Sequence, residues 1–293
     1  MSSQNEHCVV VRGFYLDQQV IENLHKIKSE IPEGYDFFFL YDETPRKVKK
    51  RKLPEGITAV PFNQQRWVEY KTPDKYHQTF IPGNEETMFL MFFDEYSLYK
   101  HYWFIEYDVH FSGNWRLFFD AFQDSDADLL STTLVAYDEF PEWGIWKSLT
   151  PPSNVTVVNE HKVRGFFPFA RFSNRALSLL KTTLSEGWSG HPEALVATVM
   201  LHHGLTIEDI GGDGQFVQPD NKNRFYTNNR FDEDLGPGTF KFRPKYRDVG
   251  DIPNMLWHPV KDEKLVMWDT KKTPMQKFID RIFSKLKKWS KGH

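Results

Sequence analysis

One cysteine in 293 residues, Cys8, excludes a disulfide framework and points to a reducing compartment. No stretch approaches the roughly 18 consecutive apolar residues of a membrane-spanning helix. The opening MSSQNEHCVVVRGF lacks a basic segment followed by an apolar run, so a secretory leader is not expected. Glycine is scarce where a phosphate loop would need it: VVVRGFYLD supplies one, with no lysine. No internal repeat is visible. What is present is globular material, 40% hydrophobic and 16% aromatic, ample for the core of a large α/β domain.

The net charge of −3 is unevenly spread. Residues 271–293 hold eight Lys or Arg and one Asp, a local +7, so the preceding 270 residues carry −10. An acidic body argues against nucleic acid as a partner. The basic tail repeats apolar residues at Met275, Phe278, Ile279, Ile282, Phe283, Leu286 and Trp289, the spacing of an amphipathic helix. Aromatic and basic residues together suit an anionic membrane surface, with Phe278, Ile282, Phe283, Leu286 and Trp289 as the inserting side chains. The expected location is therefore cytoplasmic, peripheral on the inner face of the cell membrane.

Along the chain, Cys8 to Val11, Gln18 to Ile31 and Tyr35 to Tyr41 read as strand, helix and strand. The basic stretch ETPRKVKKRKLPEG reads as a loop, and Thr87 to Tyr99 fits either helix or strand. HYWFIEYDVHF reads as one strand, Asn114 to Gln123 as a short helix, Asp128 to Ala136 as a strand. Residues 138–154, with Trp143 and Trp146, have no period: the loop either presents aromatics to a sugar or base, or is pinned to the body by them. Phe172 to Leu184 and Pro192 to His202 are expected helices, the second opened by proline and Glu193. Residues 211–254 read as irregular structure with a weak strand near 238–243. Alternation of strand and helix implies an α/β layer architecture.

Within WFIEYDVHFSGNW two acids stand two apart in an apolar, aromatic run. A buried carboxylate without a partner costs several kcal/mol, so Glu106 and Asp108 require a cation, donors or water. Strand periodicity would aim both the same way, near the carboxyl edge of the sheet, where open α/β sheets bind ligands. Three further features carry chemistry: Arg12 at the end of the first strand, His191-Pro192-Glu193 at a helix start, and NMLWHPVK, which sets His258 and Lys261 three apart.

IEYDVHFSGNW and NMLWHPVK, in this order after a βαβ opening, resemble the GT-A glycosyltransferases over roughly residues 8–265. The first acid here is Glu where Asp is commoner. The resemblance implies a GT-A, Rossmann-like mixed sheet flanked by helices, with a nucleotide-binding half near 1–137, an acceptor half near 138–270 and the C-terminal amphipathic helix beyond. It implies Mn²⁺ or Mg²⁺ held by Asp108 and His258, with Glu106 on the metal, its water or the donor ribose. Lys261 and Arg12 would meet the donor diphosphate, and Asp42 the nucleoside. Glu193 would be the general base of an inverting transfer. Trp143, Trp146, Trp188 and His191 would face the acceptor. The implied reaction moves a sugar from a nucleotide sugar, a UDP-sugar for preference, to a glycan or lipid-linked acceptor, as in surface polysaccharide synthesis. A nucleotidyltransferase or phosphatase, and a non-catalytic carbohydrate-binding protein, are the alternatives.

Overall fold

The computed structural model describes residues 5–43, 53–63 and 84–261. The basic tail from 271, with Phe278, Ile282, Phe283, Leu286 and Trp289, lies outside the described residues, as does most of the basic loop from 44 to 52.

The chain opens with β1 (His7–Gly13), α1 (Gln18–Glu30) and β2 (Tyr35–Asp42), followed by β3 (Thr58–Phe62). α1 starts where Asp17 accepts the Val20 amide at 2.8 Å, a cap of about 1 kcal/mol. Of the stretch Thr87 to Tyr99 that suits either helix or strand, residues up to Glu95 belong to a helix, α2 (Glu85–Glu95). β4 (His101–Glu106), β5 (His110–Phe111), α3 (Trp115–Asp120) and β6 (Leu129–Ala136) follow. Then come β7 (Val163–Ser173), α4 (Asn174–Ser185), α5 (Pro192–His202), β8 (Ile207–Asp209) and β9 (Leu256–Trp257). Asn114 and Ser173 cap α3 and α4 through the Arg116 and Ala176 amides.

Seven strands form one mixed sheet in the order β3-β2-β1-β4-β7-β6-β8. β3, β2, β1 and β4 run parallel, and β7 lies antiparallel to both neighbours. Strand alternation splits the core. Cys8 and Val10 face one layer with α2, α4 and α5, while Val9 and Val11 face the other with α1 and α3. The expected mixed α/β sheet flanked by helices is therefore observed, and strands from before and after residue 137 share it.

Two expectations change. The single strand over 101–111 is broken: β4 ends at Glu106, Tyr107-Asp108 turns with the Val109 amide bonded to the Glu106 carbonyl, and β5 joins β9 in a second, two-stranded sheet. β7 has no counterpart in the sequence reading. VRGFFPFARFS contains Gly165 and Pro168, which argue against a central strand. The sheet accommodates them through register shifts in the β6–β7 pairing between Leu130 and Val135. Among the described residues, no helix is long and apolar enough to cross a membrane.

Candidate active site

The charges inside the apolar strands answer one another. Arg12 and Glu106 are register partners at the carboxyl ends of the adjacent parallel strands β1 and β4. Arg12 Nη2 stands 2.8 Å from Glu106 Oε1 and donates to the Phe167 carbonyl at 2.9 Å, with the Phe89 ring beneath its guanidinium. Gly13 follows because a Cβ there would meet the Tyr107 Cβ at 2.9 Å, displacing the turn that carries Asp108. Burial alone would raise the Glu106 carboxyl. Arg12, His258 and Lys261 outweigh it and hold the group down at about 2.

His258 and Lys261 reach this edge from far along the chain. The β5–β9 pair sets Trp257 opposite His110, and the Val260 amide bonds to the Asp108 carbonyl at 2.9 Å. The His258 ring packs against Phe166 and Phe240. His258 Nδ1 is 2.7 Å from the Lys241 carbonyl, which only accepts, so Nδ1 carries the proton. Nε2 is turned to Glu106 Oε2 at 3.2 Å and Asp108 Oδ1 at 3.8 Å. Lone pairs so close repel one another, and a proton or a metal cation belongs between them.

Asp108 is 1% exposed, and neither of its carboxylate oxygens accepts a directed hydrogen bond from the described residues, although Lys261 Nζ pairs with Oδ2 at 2.8 Å. Burial alone would lower the Lys261 ammonium, but Asp108 and Tyr107 carry it well above its usual range. Ligand atoms of Glu106, Asp108 and His258 all lie within 4.8 Å of one another. Two carboxylates and an imidazole whose outer nitrogen is held by a carbonyl suit Mn²⁺ well and Mg²⁺ less well, because imidazole is a poor Mg²⁺ ligand. The expectation that both acids point one way holds, by a turn and not by the pleat.

A cavity of about 320 Å³ opens beside this cluster. Arg12, Glu106, His258 and Lys261 form one part of its wall, and Trp143, Arg164, His191 and Glu193 another. Its size suits a small-molecule site. The Glu193 carboxyl is raised to about 7 by burial, which Arg164 offsets only in part and Glu106 reinforces. His191 caps α5 by accepting the Glu193 amide on Nδ1. A smaller recess of about 80 Å³ shares Arg12, Glu106 and Lys261 and is bounded by Asp42, Phe14 and Asp108.

The sequence-predicted residues Arg12, Asp42, Glu106, Asp108, Trp143, His191, Glu193, His258 and Lys261 thus line two spaces that share Arg12, Glu106 and Lys261. Trp146 and Trp188 do not line either. Trp146 donates to the Phe140 carbonyl and stands edge-on to Trp143. Trp188 is 1% exposed, packed on His202 and His203. Trp143 is itself buried, so the loop 138–154 is pinned to the body by its rings.

Glu85 and Arg164 are among the lining residues that the sequence did not single out. Glu85, the first residue of α2, is raised to about 7 by burial against the pull of Arg12. Arg164 lies in β7, and the signal for it, a cation inside an apolar run, was hidden with the strand itself.

No family model and no curated protein matches the chain. Solved structures with a similar layer arrangement do exist. The inositol-1-phosphate CTP transferase from T. maritima aligns at TM-score 0.38 and 9% identity over 71% of this chain and 85% of its own. Core-mannan synthase A from Aspergillus fumigatus, in a Mn/GDP form, aligns at 0.37 and 11% over 71% and 73%. The bifunctional glycosyltransferase WbbM aligns at 0.37 and 9% over 72% of this chain and 40% of its own. Nucleotidyltransferases and glycosyltransferases are thus both among the structures this chain resembles.

Proposed function

We propose that the protein is a metal-dependent glycosyltransferase that moves a sugar from a nucleotide-sugar donor, a UDP-sugar for preference, to a glycan or lipid-linked acceptor. The observation that carries the reading is the convergence of Glu106, Asp108 and His258 within 4.8 Å, beside Arg12 and Lys261 and on the wall of a cavity that also holds Glu193.

A nucleotide sugar leaves a diphosphate, so positive charge is needed where negative charge develops. Asp108, His258 and Glu106 would hold Mn²⁺ or Mg²⁺, which when bound supplies part of that charge. Lys261, beside Asp108, supplies a cation at the same edge. Arg12 is already engaged by Glu106 and Phe167, so its role is to keep Glu106 ionised and in place as much as to meet phosphate. Asp42 borders the recess offered to the nucleoside. In an inverting displacement the acceptor oxygen bonds to the sugar's anomeric carbon, the diphosphate departs, and the acceptor's proton passes to Glu193. A carboxyl tuned to about 7 suits that task. The basic segment 271–293 joins the proposal on sequence grounds alone, as the means of reaching a lipid-linked acceptor.

The test is UDP release from UDP-sugars with and without Mn²⁺, in parallel with UDP binding. Slow Mn²⁺-dependent release is expected in the native protein and is lost in Asp108→Asn together with Mn²⁺-dependent UDP binding. Pyrophosphate formation from a nucleoside triphosphate would instead mark a nucleotidyltransferase. Sugar binding without nucleotide affinity would mark a carbohydrate-binding protein.

A further inference from the structure

Arg164, near the start of β7, is 2% exposed and lines the main cavity. The Trp143 ring covers one face of its guanidinium at 4.6 Å. Nη1 donates to the Arg230 carbonyl at 3.3 Å, and buried Nε has no hydrogen-bond partner among the described residues. A guanidinium carries five N–H donors in a planar fork, so one long bond leaves most of its capacity unspent. An unmet buried donor costs about 1–3 kcal/mol, more for a charged group.

Nearby carboxylates do not fill the gap. Glu193, Asp232 and Glu233 lie within electrostatic reach, but among the described residues none forms an ion pair with Arg164. Asp232 spends Oδ1 on the Asp234 and Gly236 amides. Glu233 is exposed to solvent. Glu193 is drawn toward its neutral form by burial. Even with all three present, burial lowers the Arg164 pKa from its ordinary value. The cavity's other Arg and Lys cations are matched: Arg12 by Glu106, Lys261 by Asp108.

The geometry points to an anionic acceptor: Arg164 receives a carboxylate or phosphate group of the sugar-accepting molecule on guanidinium N–H groups that the fold leaves unspent, with Trp143 stacked against the guanidinium. A guanidinium carries its N–H groups in parallel pairs, the arrangement that binds two oxygens of one anion. The same cavity wall holds Glu193, so the anion orients a neighbouring hydroxyl toward the base. This inference rests on the glycosyltransferase reading for the word acceptor and adds the chemical class of the molecule accepted.

The experiment is calorimetric titration of the full-length protein, in Mn²⁺ and UDP, with methyl glucoside, methyl glucuronide and glucose 6-phosphate. The native protein is expected to bind at least one acid roughly 10- to 100-fold more tightly than the neutral sugar, the equivalent of a charge-assisted bond pair. Comparison of the two acids tells carboxylate from phosphate. Arg164→Met should abolish the preference, and Arg164→Lys, which keeps charge but not the fork, should retain part of it. Equal binding of all three ligands, no binding of either acid, or an unchanged preference in Arg164→Met overturns the inference. Should the Met variant fail to fold by its melting curve, the native series and the Lys variant still decide. UDP binding by the native protein is read separately: its absence with the acid preference intact sinks the donor reading alone, and the converse sinks this one alone.

Discussion

Glu193→Gln should make the protein more stable and less active, and the gain should depend on pH. The carboxyl titrates at an ordinary 4.5 in the unfolded chain and at about 7 in the folded one, because burial disfavours its charged form. Below pH 4.5 both states hold the proton and the group contributes nothing. As pH rises toward 7 the unfolded chain ionises first, and folding is opposed by a term that reaches its full size above pH 7. The span from 4.5 to about 7 corresponds to about 3 kcal/mol. The carboxyl borders the cavity and is partly open to water, so about 1–3 kcal/mol is the expected range. Glutamine mimics the protonated acid at every pH. Melting curves of the two proteins should therefore coincide near pH 4.5 and diverge up to pH 8, with the variant higher by about 2–4 °C per kcal/mol. Turnover should fall by about 10²–10⁴ with UDP affinity unchanged. A variant that melts at the same temperature as the native protein at pH 8, or is destabilised equally at both ends, refutes the buried-base argument.

Three other outcomes follow from the same geometry. Mn²⁺ and UDP at about 100 times their dissociation constant should stabilise the native protein by about 2.7 kcal/mol in thermal melts, an effect absent in Asp108→Asn and reduced in His258→Ala; equal shifts in all three proteins would remove the metal assignment. Arg12→Met strips Glu106 of its buried partner and should cost about 3–5 kcal/mol in urea denaturation, with the Glu106 carboxyl moving upward; a near-neutral change would mean that water enters the strand edge. Tyr226→Phe removes a hydroxyl that donates to Asp209 at 2.7 Å and accepts the Thr133 amide at 2.7 Å, and about 1–3 kcal/mol should be lost in the same assay.

Much of the local structure could be read directly. The continuous apolar run over 8–11 and the spacing within 18–30 specify β1 and α1, and Asp17, Asn114 and Ser173 mark the starts of three helices. The cost of burying charge was legible in the same way: Glu106 in an apolar strand had to have a partner, whatever the fold. These are properties of neighbours along the chain, and periodicity and capping are set within a few residues.

The partners themselves belong to the tertiary structure. Arg12 meets Glu106 because β1 and β4 are adjacent in the sheet, and His258 meets it across 152 residues because β9 pairs with β5. β7 was hidden because Gly165 and Pro168 weaken a strand locally, while two flanking strands and a shift of register stabilise it in place. With β7 went Arg164, and α2 brought Glu85 to the cavity from two residues before the stretch of ambiguous period. Sequence by itself determined which residues must be buried and which buried charges needed company. Strand order and register decided which charges met, because those depend on pairings between distant segments that no local period encodes.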